Sequence, residues 1–582
     1  MLDINDKKLK WLKDAKFGLF IHWGLYAATE GWYGGKETVG IGEWIAAKET
    51  IPNGEYEKLA EKMTCEKFDP KMWAKLAKSA GMKYCVFTSK HHEGFSMFDT
   101  SYDDYSITKR SPYKKDVAKE IVDAMREEGI MPCFYYSHAL DFHESEAWGN
   151  TWDNQLPQEE RDFKSYINGK CKHQLTELLT NYGKIGMIWM DVPRGMTEEI
   201  ALDLIDHVKS IQPDCLISGR IMFDPKYGDF GCMGDNQIPT AKKVGLWETA
   251  ATMNDTWGYK RDDHNFKSPN ELIELLCGLV SKGANLLLNI GPKANGEIPQ
   301  ESIFILNEFA KWFDVNGEAI EAVDASPFEC DFSFGDVSAK DNNLYLYLYE
   351  KTEKVEIYGI LNKVKNVSVL GGGNVKFSQD SLFTLDLSDV DFGEYVTVLK
   401  VELDGKPDIL NGVTQQEKNI INLSAGVCSV TKNVKSISAK SLEGDAAVEA
   451  ENVNLMPWDD MWINEAGIIE NWTSEENYIT WEADVIEEGE YEVCLYTIAQ
   501  KYMPWTGGHI VRLVCGENSV SATLSDDRKS KGANYKYFAE TGSILGKMHL
   551  KKGKNTLTLY CDKINENDSV GLGVSKIIFR KI

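Results

Sequence analysis

Along roughly the first 320 residues the apolar positions follow two alternating rhythms. Short continuous runs read as buried strands: "KFGLFIHWG", "KYCVFTSKH", "IMPCFYYS", "IGMIWMDV", "CLISGRI", "VGLWET" and "NLLLNIGP". Between them lie stretches such as "KKDVAKEIVDAMREEG" and "SPNELIELLCGLVSKG", with apolar residues three and four apart, the helical period. The first of these ends on Gly129, a helix stop. Strands alternating with helices predict a parallel sheet covered by helices. Seven or so strands over this length fit a (β/α)8-like barrel better than a doubly wound sheet. No G-x-G-x-x-G follows a strand, so a dinucleotide fold has no support. A barrel carries its chemistry at the C-terminal ends of its strands and in the loops just after them.

Past residue 322 the period falls to two. "NNLYLYLYEK" and "KVEIYGIL", with "LGGGN" as a turn, predict a small antiparallel β-sandwich over 323–435. "YITWEADV", "GEYEVCLYTIA", "GHIVRLVCG" and "KNTLTLYCDKI" predict a second all-β module, a jelly roll over 436–582. Trp458, Trp462, Trp472, Trp481 and Trp505 gather in it. Such residues stack on sugar faces when exposed, although tryptophan in a sandwich is more often core. The expected architecture is therefore α/β: a catalytic barrel over 1–322 followed by two all-β domains.

Charge narrows the partners. A formal net charge of −26 argues against nucleic acid, which needs a basic footprint. No apolar run approaches the roughly 18 residues of a membrane span. The opening "MLDINDKKLKWLKDAKFG" has no signal-peptide core, so the expectation is a cytoplasmic protein as written, or a secreted one if a leader has been trimmed. The sequence leaves the oligomeric state open. The 12 cysteines form no C-x-x-C pair, and several sit in strand-like runs, as reduced, buried thiols do.

Candidate chemistry collects where the barrel predicts it. The strand-like runs end in His22 and Trp23, His91 and His92, Tyr135 and Tyr136, Trp189 and Asp191, Arg220, and Trp247 and Glu248. In "GMIWMDVP" a buried strand stops in a carboxylate, with Pro193 two residues on; Trp189 and Asp191 share a face. The alternative for Asp191 is a helix cap. Glu248 in "GLWETA" has the same character, the alternative being a barrel-closing salt bridge. Two carboxylates in an aromatic pocket suit glycoside hydrolysis, about 5–5.5 Å apart when configuration is retained. The adjacent His91 and His92, beside Glu93, allow metal ligation, acid–base work or hydrogen bonding to a polar ligand. H-E-x-x-H is absent, and the composition favours sugar contact over a metal. Neighbours on a strand point to opposite faces, so both rings meet one ligand only where the strand has ended or kinked.

Taken together, "FGLFIHWGLYA", "KHHEGFSMFDT", "YYS", "IWMD", "WETAATMNDTWGY", "GANLLLNIGPKANGEIP" and "VNGEAIEA" resemble the retaining α-L-fucosidases, glycoside hydrolase family twenty-nine, from about Trp11 to Ala322. The resemblance implies hydrolysis of terminal α-L-fucose from oligosaccharides or glycoconjugates by double displacement, with no cofactor and no catalytic metal. It assigns the nucleophile to Asp191 and the acid/base to Glu248, with Glu43 as the fallback. It assigns fucose contacts to His22, Glu43, Trp44, His91, His92, Tyr135, Trp189 and Arg220. Family members often have Gly after the nucleophile, where Val192 and Pro193 stand here. The last module resembles carbohydrate-binding jelly rolls, with "VEAENV" and "NWTSEENYITWEADVIEEGEYEV" as its most suggestive runs. Some of these hold a structural Ca²⁺ through carboxylates and backbone oxygens, a chemistry the sequence allows here. A non-catalytic, lectin-like fucose-binding protein on the same scaffold is the competing expectation.

Overall fold

The computed structural model describes residues 1–431, 461–498, 505–529, 540–568 and 570–582. "VEAENV" and Trp458 lie outside the described residues. The chain divides into two compact units: Met1–Cys232, Gly245–Leu276 and Ala284–Ala322 form the first, and Met233–Val244, Cys277–Gly283 and Val323–Ile582 the second.

The first unit is built on parallel strands β1 (Phe17–Ile21), β2 (Tyr84–Lys90), β3 (Met131–Tyr136), β4 (Met187–Met190), β5 (Leu216–Ile217), β6 (Gly231–Cys232), β7 (Trp247–Thr252) and β8 (Ala284–Ile290). They pair in the order β5-β4-β3-β2-β1-β8-β7-β6, a curled, barrel-like sheet. A parallel bridge, Ser218 to Phe230, links the two edge strands. Helices α1 (Pro70–Ser79), α2 (Val117–Glu127), α3 (Lys172–Thr180), α4 (Glu198–Ile211), α5 (Pro269–Ser281) and α6 (Gln300–Asn316) intervene, but none lies between β5 and β6 or between β6 and β7. Each start has a local cause. Asp69 caps α1 ahead of Pro70, Asp116 caps α2 and Thr197 caps α4, each side chain accepting from an orphan backbone N–H. Gly129 follows α2 at φ 73°, a turn that an L side chain resists.

Two findings depart from the sequence pattern. Strand β6 is only Gly-Cys, too short to give an apolar run. Strand β7 begins at Trp247 and runs through "WETAAT", whereas the apolar run "VGLWET" placed Trp247 and Glu248 at a strand's far end.

From Val323 on, the described residues form strands and short helical turns. A four-stranded and a three-stranded sheet enclose one core, with Leu344, Leu346, Leu399 and Val401 from the first and Val355, Ile357, Phe383 and Leu385 from the second. A second core, around Trp472, Trp481, Leu513, Leu559 and Phe579, lies between a seven-stranded and a five-stranded sheet. Ile420–Ser424 pairs with Leu572–Lys581, and Ser429–Thr431 pairs with Tyr478–Val485. Two strands of the last pair of sheets thus come from before residue 436. Trp472 and Trp481 are core; Trp462 and Trp505 are partly exposed.

All 12 cysteines are free, and all but Cys330 are buried. No helix among the described residues is long and apolar enough to cross a membrane. No group of three or more His, Cys, Asp or Glu among them is placed to hold a metal ion.

Candidate active site

Asp191 is the residue after β4 and is 8% exposed. Arg220, in the turn after β5, donates to its Oδ1 at 2.9 Å, and the Tyr135 hydroxyl near the end of β3 donates to Oδ2 at 2.8 Å. Charge-assisted bonds of this kind fix a carboxylate in direction. Burial and the Asp191 charge push the Tyr135 phenol well above its ordinary range, so it stays a donor. The Arg220 guanidinium lies 4.9 Å over the Trp189 ring, and Trp189 stacks on Tyr135 at 5.8 Å. The backbone beneath Asp191 is unusual. Val192 has φ 48°, and the Arg194 amide donates to the Val192 carbonyl at 2.8 Å across Pro193. A β-branched residue before proline is poorly suited to that conformation.

Strand β2 ends at Lys90 after a register shift, and this releases His91 and His92 from strand alternation. Their rings lie 4.1 Å apart, and His91 stacks on Tyr135 at 5.5 Å. Ser137 Oγ gives its hydrogen to the Leu140 carbonyl and therefore accepts from His92 Nδ1 at 2.7 Å. Burial, then the neighbouring His91 and Lys90, lower the basicity of His92 well below the usual range and keep it neutral. Its Nε2 is thus an acceptor, 3.6 Å from Asp191 Oδ2. Two acceptors that close together make a receptor for an O–H donor.

His22 follows the same logic. Asn289 donates from Nδ2 to the Trp257 carbonyl at 2.8 Å, so its Oδ1 accepts from His22 Nδ1 at 2.7 Å. Burial, then His91, hold His22 neutral, with Nε2 left as an acceptor. Glu43 is 2% exposed. Its Oε2 accepts from the Trp257 and Gly258 amides at 3.2 and 3.1 Å and from Thr256 Oγ1 at 3.2 Å. Its Oε1 is buried with no partner. The neighbouring Trp44 sets its ring 4.8 Å from His92.

Glu248 is the exception among the sequence candidates. As the second residue of β7 it lies near the N-terminal side of the sheet, 1% exposed, with both oxygens engaged. Trp189 Nε1 donates to Oε1 at 2.8 Å, and Tyr84, the first residue of β2, is 2.5 Å from Oε2. The expectation of a carboxyl at a strand's C-terminal end is corrected here: Glu248 sits beneath Trp189, without an open face toward the mouth.

Sequence reasoning passed over the frame under the histidines. Lys90 and Lys170 are fully buried around Asp141 at 3.0 and 3.1 Å, and Lys170 also reaches Asp103 and Glu144 at 3.1 and 3.3 Å. Burial pushes the Asp141 carboxyl up, but the Lys170 and Lys90 charges outweigh it and hold the group below its usual range. The available signal was a lysine closing the apolar run "KYCVFTSK", since a buried ammonium needs a carboxylate partner. Trp257, in "WETAATMNDTWGY", also sets its ring 5.0 Å from His22.

The pocket thus holds a carboxylate, a guanidinium, neutral imidazoles and aromatic faces, the equipment for gripping a small polyol beside a nucleophile. Known proteins resemble the chain. The plasma alpha-L-fucosidase of Homo sapiens is 28% identical over 331 residues, covering 53% of this chain and 68% of its own. The crystal structure of the alpha-L-fucosidase from Vibrio sp. strain EJY3 superposes with a TM-score of 0.83 at 26% identity, covering 99% of this chain and 98% of that one. A trapped covalent intermediate of an alpha-L-fucosidase from Bacteroides thetaiotaomicron, in complex with 2-fluoro-fucosyl fluoride, gives 0.64 at 26% identity, covering 70% and 98%. Residues 3–318, more than half of the chain, match the profile described as Alpha-L-fucosidase, and the chain belongs to that family.

Proposed function

We propose that the chain is a retaining exo-glycosidase that removes terminal α-L-fucose from fucosylated oligosaccharides or glycoconjugates. The observation that carries the reading is Asp191, held between Arg220 and Tyr135 at the end of β4. An Asp191 oxygen attacks the anomeric carbon as the bond to the leaving oxygen breaks and that oxygen takes up a proton. Water then attacks the same carbon, regenerates the carboxylate and gives up its proton to the acid/base group. His22 and His92 accept from sugar hydroxyls through Nε2, and His91 lies between them. Trp44 offers an apolar face to the ring and its methyl group, while Trp189, under Arg220 and stacked on Tyr135, backs the pocket. We read the framework as a closed (β/α)8-type barrel, the Ser218–Phe230 bridge being its seam. The two separate β cores support reading 323 onward as two domains. This chemistry requires no cofactor.

Of the two carboxyls nominated for proton transfer, Glu43 keeps an unpartnered oxygen and Glu248 does not, so the role is proposed for Glu43. A lectin-like protein is not favoured, because the nucleophile and its supports are all present.

The test is hydrolysis of a nitrophenyl α-L-fucoside, with the first-formed anomer read by NMR. Asp191→Ala should lose at least about 10⁴-fold in kcat. No turnover by the wild type sinks the enzyme reading, and a fully active Asp191→Ala sinks the nucleophile. Glu43→Ala should recover turnover in azide and form α-fucosyl azide, the configuration of the substrate being retained through the Asp191 intermediate. Without that rescue the proton donor is not Glu43.

A further inference from the structure

The loop after β3, from Ser137 to Arg161, reaches the mouth of the pocket, yet beyond Ser137 none of its residues has a role in the chemistry above. An aromatic row starts inside the pocket and runs out along this loop. Trp44 sets its ring 4.8 Å from His92 and 6.0 Å from Phe142, and Phe142 in turn meets Trp152 edge-on at 5.2 Å. Phe142 is 3% exposed and packs 6.2 Å from His92, whereas Trp44 and Trp152 are both partly exposed. The row therefore ends in an indole one ring beyond the groups that would hold fucose.

The loop fixes that indole in place. Trp152 Nε1 donates to the Ile51 carbonyl at 2.9 Å, on the segment that follows Trp44. The buried Asn150 accepts from the Trp152 and Asp153 amides at 3.2 and 2.9 Å and donates to the Phe142 carbonyl at 2.7 Å. Asn53 donates to the same carbonyl at 3.1 Å, and its amide bonds Asp153 Oδ2 at 2.7 Å. Arg161 gathers the carbonyls of Ala147 at 2.7 Å, Leu156 at 3.2 Å and Asn150. A free tryptophan in a surface loop loses rotamer freedom on meeting a ligand, but this one is already ordered, which favours binding without any new contact. Charge says what it can meet. The loop exposes Asp153, Glu159 and Glu160, has no lysine, and turns its one arginine onto backbone carbonyls.

We propose that Trp152 is a specificity-determining residue: its face receives the uncharged sugar to which fucose is joined, and the acidic loop around it disfavours aglycones bearing a sulfate or a carboxylate. The inference rests on the fucosidase reading, because it names what lies on the leaving-group side of the bond. The apolar C–H face of a pyranose packs on the indole, and its hydroxyls stay in water at the rim. Trp152 touches no reacting atom, so its contribution falls on substrates large enough to reach it.

The experiment compares α-L-fucosyl fluoride, whose leaving group is too small to reach the indole, with neutral fucosylated trisaccharides of several linkages and their sulfated counterparts. Trp152→Ala should lose about tenfold in kcat/KM on the neutral trisaccharide, mainly through KM, and change by less than about twofold on the fluoride. Trp152→Tyr keeps a flat ring and should retain most of the wild-type rate on both. Should the Ala variant fail to fold, Trp152→Leu serves: it keeps apolar bulk against Phe142, offers no flat face, and should show the same selective loss. With wild type, the sulfated trisaccharide should be at least about fivefold slower than the neutral one at about 0.01 M salt, and the gap should narrow at about 0.5 M as screening shortens the reach of the loop's charges. Equal losses on trisaccharide and fluoride would make Trp152 purely structural and overturn the proposal. So would an unchanged Ala or Leu variant, a preference for the sulfated substrate at low salt, or a wild type that turns over the fluoride but no neutral trisaccharide. These outcomes leave the fucosidase reading standing; a wild type inactive on the fluoride itself sinks that reading, and this inference with it.

Discussion

Val192→Gly isolates the backbone strain under the nucleophile. Val192 sits at φ 48° and is partly buried. A β-branched side chain in that region costs about 1–3 kcal/mol, which glycine does not incur. Glycine in turn loses about 0.5–1 kcal/mol through its freer unfolded chain. Removing a half-buried isopropyl group forfeits about another 1 kcal/mol at roughly 25 cal/mol per Å². The opposing contributions nearly cancel, so the variant should unfold within about 1 kcal/mol of wild type. At an ordinary φ the same replacement lacks the relief and loses about 1.5–2 kcal/mol. The strain also stiffens the link from β4 to Pro193, so its release should loosen the Asp191 carboxylate. The expected kinetic signature is a fall of about three- to tenfold in kcat with KM nearly constant, since only the attack geometry suffers. Urea unfolding followed by circular dichroism, run beside steady-state kinetics, measures both. A loss of more than about 2 kcal/mol with unchanged kcat would refute the reasoning. Val192 would then contribute packing and no strain.

Two further outcomes follow from buried charge. Lys90→Met should destabilise the chain by about 3–5 kcal/mol in urea, because Asp141 would lose one of its two ammonium partners and Tyr166 an ammonium donor at 2.8 Å. Glu248→Gln should change the pH dependence of stability. A carboxyl raised to about 7 in the fold, against about 4.3 unfolded, stabilises fully below the unfolded value, and that contribution disappears as the pH rises through 7. The variant should therefore gain up to about 3 kcal/mol on wild type between pH about 4 and pH about 8, as read from urea midpoints at the two values.

Much of this could be read from apolar period alone, and the failures share one origin. β1, β2, β4 and β8 announce themselves because each buries a continuous row of large side chains. β6 has two residues and no bulk, and its place is fixed only by pairing with β7. The Ala and Thr residues of "WETAAT" look like the end of a strand because they are small, while the barrel treats them as its continuation. That single misjudged register moved Glu248 from the floor to the mouth. The histidine pair fared better, since alternation itself demanded that the strand end before both rings could face one ligand. Pairing between distant segments is invisible to local pattern, so Ile420–Ser424 gave no hint that it completes the last sandwich. The same holds for Lys90, whose carboxylate partner arrives from 51 residues away.

The sealed thiols give the molecule an internal clock. Alkylating reagents attack the thiolate, and burial lifts Cys65, Cys171, Cys215 and Cys561 to about 12, leaving almost none of it at neutral pH. Each sulfur therefore becomes reactive only when its surroundings open. Cys85, Cys133 and Cys215 time the opening of the barrel strands, and Cys494, Cys515 and Cys561 that of the last sandwich. Mass spectra taken during slow alkylation would then record the order in which the parts of the chain come undone, without any label being introduced.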